Sequence, residues 1–157
     1  MSFAGERRVR LERTYPAAPE AVFDAWTNPE VLRRWWRAQP SWTVPEVEVD
    51  LRVGGAYRLA MADPASGERH VLVGEYREIR RPERLVYTWC WEGNGPSAGH
   101  ESLVTVEFRA TGAGTTVVID HAALLDETSR AAHAHGWNGV LDSLGRDVLD
   151  GDPRQGA

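Results

Sequence analysis

A chain of 157 residues, 42% hydrophobic and 26% charged, is sized for one soluble domain with its own core, and no apolar run approaches the ~18 residues of a membrane span. A net charge of −5 excludes broad electrostatic attachment to nucleic acid or anionic membranes. The eighteen basic residues are all arginine, which removes any Schiff-base lysine, and the single cysteine, Cys90, excludes an internal disulfide and fits a reducing, cytoplasmic setting.

The opening Met-Ser-Phe-Ala-Gly-Glu-Arg-Arg has no apolar stretch after its charges, so no secretory signal is expected. The domain is placed at 6–149, with the polar, turn-rich 150–157 as a flexible tail. A first strand is predicted from Arg7 to Tyr15, with Val9, Leu11 and Tyr15 on one face. Pro19 opens a short helix with Val22, Ala25 and Trp26 on its apolar side, stopped by Asn28-Pro29. Pro29 opens a second, carrying Leu32, Trp35 and Trp36 at helical spacing. Its Arg33, Arg34 and Arg37 read as a solvated face.

Strict alternation follows: Val47, Val49, Leu51 and Val53 point one way, and Glu46, Glu48, Asp50 and Arg52 the other. The carboxylates read as a solvated outer face with Arg52 as counter-charge. Gly54-Gly55 turns the chain into a strand carrying Tyr57, Leu59 and Met61, and 63–67 closes a hairpin into a strand over 68–79. Leu85, Tyr87, Trp89 and Trp91 form an aromatic alternating face that ends in a Gly/Asn/Pro/Ser loop over 92–99. Strands over 101–109 and 115–122 flank the turn 111–114, and Cys90 reads as a small sheet residue. From Asp126, a plausible N-cap, the period becomes helical: Trp137, Leu141, Leu144 and Val148 share a stripe with His133. At 126–149 this helix would run about 36 Å, the only element long enough to cover a seven-stranded antiparallel sheet. The predicted class is α+β, with two short helices between the first two strands.

Several motifs then resemble one family. Ala21-Val22-Phe23-Asp24-Ala25-Trp26-Thr27-Asn28-Pro29-Glu30 with Leu32 and Trp35-Trp36 is similar to the opening of the homologues of the activator of the heat-shock-protein-90 ATPase. So are Asp50 to Tyr57, Gly74 to Ile79 with Pro82 to Trp89, and His133 with Gly136-Trp137 and Leu141. The resemblance covers about residues 8–149 and implies a START-like, polyketide-cyclase-like (SRPBCC) helix-grip fold, a curved sheet gripping the C-terminal helix around a cavity. Relatives in that superfamily include lipid carriers, aromatase/cyclases and hormone receptors, so fold alone does not name an activity.

The expected function is binding of a small hydrophobic or aromatic metabolite, without catalysis. The expected wall is Leu59, Met61, Tyr76, Tyr87 and Trp89 from the central strands, Val117, Ile119 and His121 from the last strand, and His133, Trp137 and Leu141 from the helix. Two alternatives are a polyketide cyclase or aromatase using His121 or His133 as acid/base, and a chaperone ATPase-activating domain. No cofactor is called for. No paired-Cys or HExxH spacing exists, and His133 and His135 lie on opposite sides of a helix, so no metal is expected. Neither glycine-rich turn runs from a strand into a helix, so neither is a phosphate cradle. A homodimer is compatible with the chain.

Overall fold

The computed structural model describes residues 7–112 and 114–149; the predicted tail and Ala113 of the last turn lie outside them. Element order is β1 (Val9–Tyr15), α1 (Pro19–Thr27), α2 (Pro29–Trp35), β2 (Thr43–Val49), β3 (Ala56–Ala62), β4 (Arg69–Arg80), β5 (Arg84–Trp91), β6 (Ser102–Thr111), β7 (Gly114–Ala122) and α3 (Glu127–Leu144). The strands form one seven-stranded sheet in the order β1-β7-β6-β5-β4-β3-β2, every pair antiparallel. Register shifts between Thr43 and Glu46 and between Tyr76 and Glu78 break the regular ladder, the device by which a sheet bends. The curled α+β half-barrel is the helix-grip arrangement that the resemblance implies.

Asn28 joins the two short helices by serving both. Its backbone N–H closes α1 on the Asp24 carbonyl, and its side chain accepts from the Glu30 N–H to open α2. The pair plugs one end of the sheet: Val22, Phe23, Trp26, Leu32 and Trp35 are all buried. Arg33 and Arg34 of α2 are exposed, as expected, and with Arg37 just beyond the helix they also tie elements together. Arg33 reaches the Val47 carbonyl, Arg34 the Asp147 carbonyl, and Arg37 both the Trp42 carbonyl and the Asp147 carboxylate. The Val47 and Asp147 acceptors are remote in sequence, which periodicity cannot see.

Two boundaries differ from expectation. The β2 alternation does not run on to Val53: the strand ends at Val49, Asp50 N–H bonds the Ala56 carbonyl, and Leu51 and Val53 stand exposed at the turn. Asp50 and Arg52 pair in solvent at 2.9 Å, while Glu46 accepts from Arg58 and Arg69, so the acidic face is an outer, cross-strand ion-pair face. The C-terminal helix is α-helical for 18 residues, about 27 Å, and then widens into a π-helical turn over Gly145–Leu149. That turn holds Asp147 between two elements. Burial alone would raise its carboxyl, but hydrogen bonds from Arg146, Arg37 and Ser143 outweigh it and hold the pKa at about 2.

Asp126 caps α3 by accepting from the Ser129 N–H, and the buried stripe His133, Trp137, Val140, Leu141 and Leu144 faces the sheet. Tyr15 donates to the Leu141 carbonyl at 2.7 Å, tying β1 to the helix. Gly74 is needed for a different contact. A Cβ there would lie 2.1 Å from the Thr88 carbonyl and within 2.7 Å of the Tyr57 ring, whose hydroxyl donates to that same carbonyl.

Candidate functional site

A cavity of about 670 Å³ opens between the N-terminal half of α3, the 92–98 loop, the ends of β3 and β5, and the chain leaving α2. Five of the seven tryptophans line it: Trp36, Trp42, Trp89, Trp91 and Trp137. Four of them arrive by simple rules. Trp89 and Trp91 alternate along β5, Trp137 lies on the buried stripe of α3, and Trp36 caps the C-terminus of α2. Trp89 is the hub, with ring centroids 5.1 Å from Trp137, 5.5 Å from Trp91, 5.8 Å from Trp36 and 4.7 Å from His121.

Two histidines stand behind and beside this wall, and their roles follow from their partners. The fully buried His121 accepts at Nδ1 from the Trp137 indole N–H at 3.0 Å. Its proton is therefore on Nε2, donated to Ser102 Oγ at 2.7 Å, and that hydroxyl in turn donates to the Trp89 carbonyl. His133 accepts at Nε2 from the Trp91 indole N–H at 2.9 Å and donates from Nδ1 to the Ser129 carbonyl at 2.7 Å. Burial pushes both imidazoles below their usual range, His121 strongly, and each is held neutral. The two indole–imidazole bonds cross. A sheet donor meets a helix acceptor at Trp91–His133, and a helix donor meets a sheet acceptor at Trp137–His121, so together they latch α3 onto the sheet. An acid/base role for either ring would need a ring nitrogen free for substrate, and both nitrogens of both rings are engaged within the protein.

Of the residues expected at the wall from sequence, Met61, Trp89, His133 and Trp137 line the cavity, and His121 packs directly behind Trp89. Leu59, Tyr76 and Tyr87 lie instead around a void of about 20 Å³ beneath α1 and α2, where Tyr87 accepts from the Trp26 indole. Val117, Ile119 and Leu141 are packed into the core, away from the lining. The displacement has one cause: the short helices fill that end of the concave face, so only the opposite end stays open.

Sequence reasoning missed Trp36, Trp42, His70, the 92–98 loop and Gly136 as lining residues. His70 and Trp42 stack with centroids 5.2 Å apart and planes 14° from parallel, forming one jamb of the mouth. Ser97 of the loop meets Ser129 of α3 at 3.0 Å, the other jamb. Two signals were available. The connection between β5 and β6 is too long for a hairpin turn. Gly136, too, sits in a helix interior, where glycine is costly, and a Cβ there would meet nothing within 4 Å. The helix gives up stability at that point, and what it gains is space.

Cys90 lies in a shallow groove on the outer face of the sheet with Glu48, Asp50 and Glu75, and takes no part in the cavity. Among the described residues, no group of three His, Cys, Asp or Glu could hold a metal ion, and no helix is long and apolar enough to cross a membrane.

The family model described as Activator of Hsp90 ATPase homolog 1-like protein matches residues 16–147. A protein of Chromobacterium violaceum is similar at 28% identity and a TM-score of 0.80, over 92% of this chain and 99% of that one. An AHSA1 protein of Silicibacter pomeroyi is similar at 27% identity and 0.78, over 88% and 95%. An AHSA1-like protein of Aeromonas hydrophila, seen in solution, is similar at 26% identity and 0.73, over 88% and 90%. No curated protein matches the chain.

Proposed function

The chain belongs to the Activator of Hsp90 ATPase homolog 1-like family, and from that premise and the tryptophan-lined cavity we propose that it is a binding protein for a small hydrophobic or aromatic molecule, held without chemical change. The observation that carries this reading is the cavity itself. It is of the size that encloses a drug-sized ligand, and five indoles line it without filling it. Affinity would come from apolar area withdrawn from water, at about 25 cal/mol per Å² before the costs of association. The neutral, fully engaged histidines favour binding over acid/base chemistry.

Gly136 supplies the test. A Cβ at Gly136 would meet no neighbour within 4 Å and the residue lines the cavity, so Gly136→Leu should abolish binding while leaving the melting temperature equal or higher. Isothermal titration with naphthalene derivatives, beside a melting curve, reads both. Undiminished affinity in the folded Gly136→Leu protein would place the ligand elsewhere.

A further inference from the structure

The indole N–H groups of this protein are matched with care. Trp26 donates to the Tyr87 hydroxyl, Trp35 to the Ala25 carbonyl, Trp91 to His133 and Trp137 to His121. Two buried ones are not matched. Trp36 and Trp89, exposed by only 2% and 4%, are the two indoles among the described residues whose buried Nε1 has no acceptor. Both side chains border the cavity, Trp36 the void beneath α1 and α2 as well, with their Nε1 atoms covered by the surrounding wall, and they meet edge to face at 5.8 Å and 69°. A buried donor without an acceptor costs about 1–3 kcal/mol, so two of them on one cavity wall call for an explanation. The charges around the mouth add a second constraint. Glu68, Glu92 and Asp126 stand there with Arg69; Glu92 is paired with Arg58, and Arg69 with Glu46. An anion would meet the carboxylates of Glu68 and Asp126, while the one arginine of the lining is already paired.

We propose that the cavity takes a flat, uncharged aromatic ligand that carries a hydrogen-bond acceptor of the carbonyl type, met by the indole N–H of Trp36 or Trp89. This deepens the binding role proposed above and rests on it. Seating the acceptor opens the Trp36–Trp89 edge-to-face pair, and the ligand's rings take the space beside Gly136.

Four naphthalenes of like size test the inference by titration: 2-acetylnaphthalene, 2-isopropenylnaphthalene with CH₂ in place of the oxygen, 2-naphthoate, and trimethyl(2-naphthyl)ammonium. The acetyl compound should bind the native protein about tenfold more tightly than the isopropenyl compound, the worth of one net hydrogen bond, and more tightly than either ion. Trp36→Phe or Trp89→Phe should bring the acetyl-to-isopropenyl ratio toward one while the isopropenyl affinity changes by less than about threefold. The comparison in the native protein needs no variant to fold. Equal binding of the two uncharged compounds, or preference for either ion, overturns the acceptor assignment and leaves the binding reading intact. Failure of all four to bind overturns both.

Discussion

The two ends of the concave face are built from the same material and end differently. Under α1 and α2, Trp26 and the three tyrosines of the central strands leave a residual void of about 20 Å³, and Phe23, Trp35 and Phe108 pack against Trp26 or one another beside it. Under the N-terminal half of α3, five more indoles surround about 670 Å³ of open space. Aromatic content therefore does not distinguish a core from a pocket. The difference lies in what the covering helix presents. The short helices insert Val22, Phe23, Leu32 and Trp35, whereas α3 sets the small Ser129, Ala132 and Gly136 among His133, Trp137 and Val140 on its cavity side.

The contrast should be hardest to break in the filled end. Trp35 is completely buried, touches Trp26 and Trp36, and bonds the Ala25 carbonyl, so Trp35→Ala should cost about 3–5 kcal/mol in chemical denaturation. A cost below about 1 kcal/mol would mean that this end is as loose as the other.

Acid should instead act on the open end, where His121 and His133 hold the latch. Both have folded pKa values below the ordinary 6.5, so below pH 6.5 the unfolded chain binds protons that the folded one does not. Stability should be level above about pH 6.5 and fall below it, by up to about 1.4 kcal/mol per pH unit for each ring, until the folded pKa values are reached. Protonation would also turn each acceptor nitrogen toward an indole N–H, donor against donor. Hydrogen exchange at pH 5.5 should therefore quicken in α3 and β5 before α1 and α2. A stability curve flat from pH 8 to 5 would sink this account.

The smallest effect sharpens the contrast from the other side. Gly136→Ala adds a methyl where none meets a neighbour, so it should stabilise the protein by about 0.5–1 kcal/mol through helix propensity alone. Destabilisation would mean that Gly136 is a packing glycine after all. Gly139, where a Cβ would lie 2.3 Å from the Ala38 carbonyl, provides the opposite control.

Much of the fold is legible in the sequence because local rules and burial agree. Pro19 and Pro29 open helices where expected, Asn28 closes one and caps the next, and the β5 aromatics alternate as read. Legibility fails where a distant partner decides. Leu51 and Val53 continue a strand pattern, yet the chain turns at Asp50 because Ala56 and Tyr76 accept its backbone N–H groups. Val148 continues a helical stripe, yet Arg34 and Arg37 hold the chain at Asp147 and the α-helix yields to a wider turn. At the site, Trp89, Trp137 and His133 were legible as residues on inward faces. Which end of that face stays empty depends on how two short helices sit, and no periodicity encodes their position.

The tryptophan cluster also has an optical consequence. Six of the seven indoles form an unbroken chain in which no link exceeds 6.4 Å: Trp35 to Trp26 and Trp36, Trp26 to Trp137, Trp36 to Trp89 and Trp137, and Trp89 to Trp91 and Trp137. At such separations an excited indole passes its energy to a neighbour far faster than it emits. Light absorbed at any indole of the chain is therefore shared along it, the indoles of the cavity wall included. A chromophore seated there would quench nearly all the emission at once, and the protein would report its own occupancy without a label.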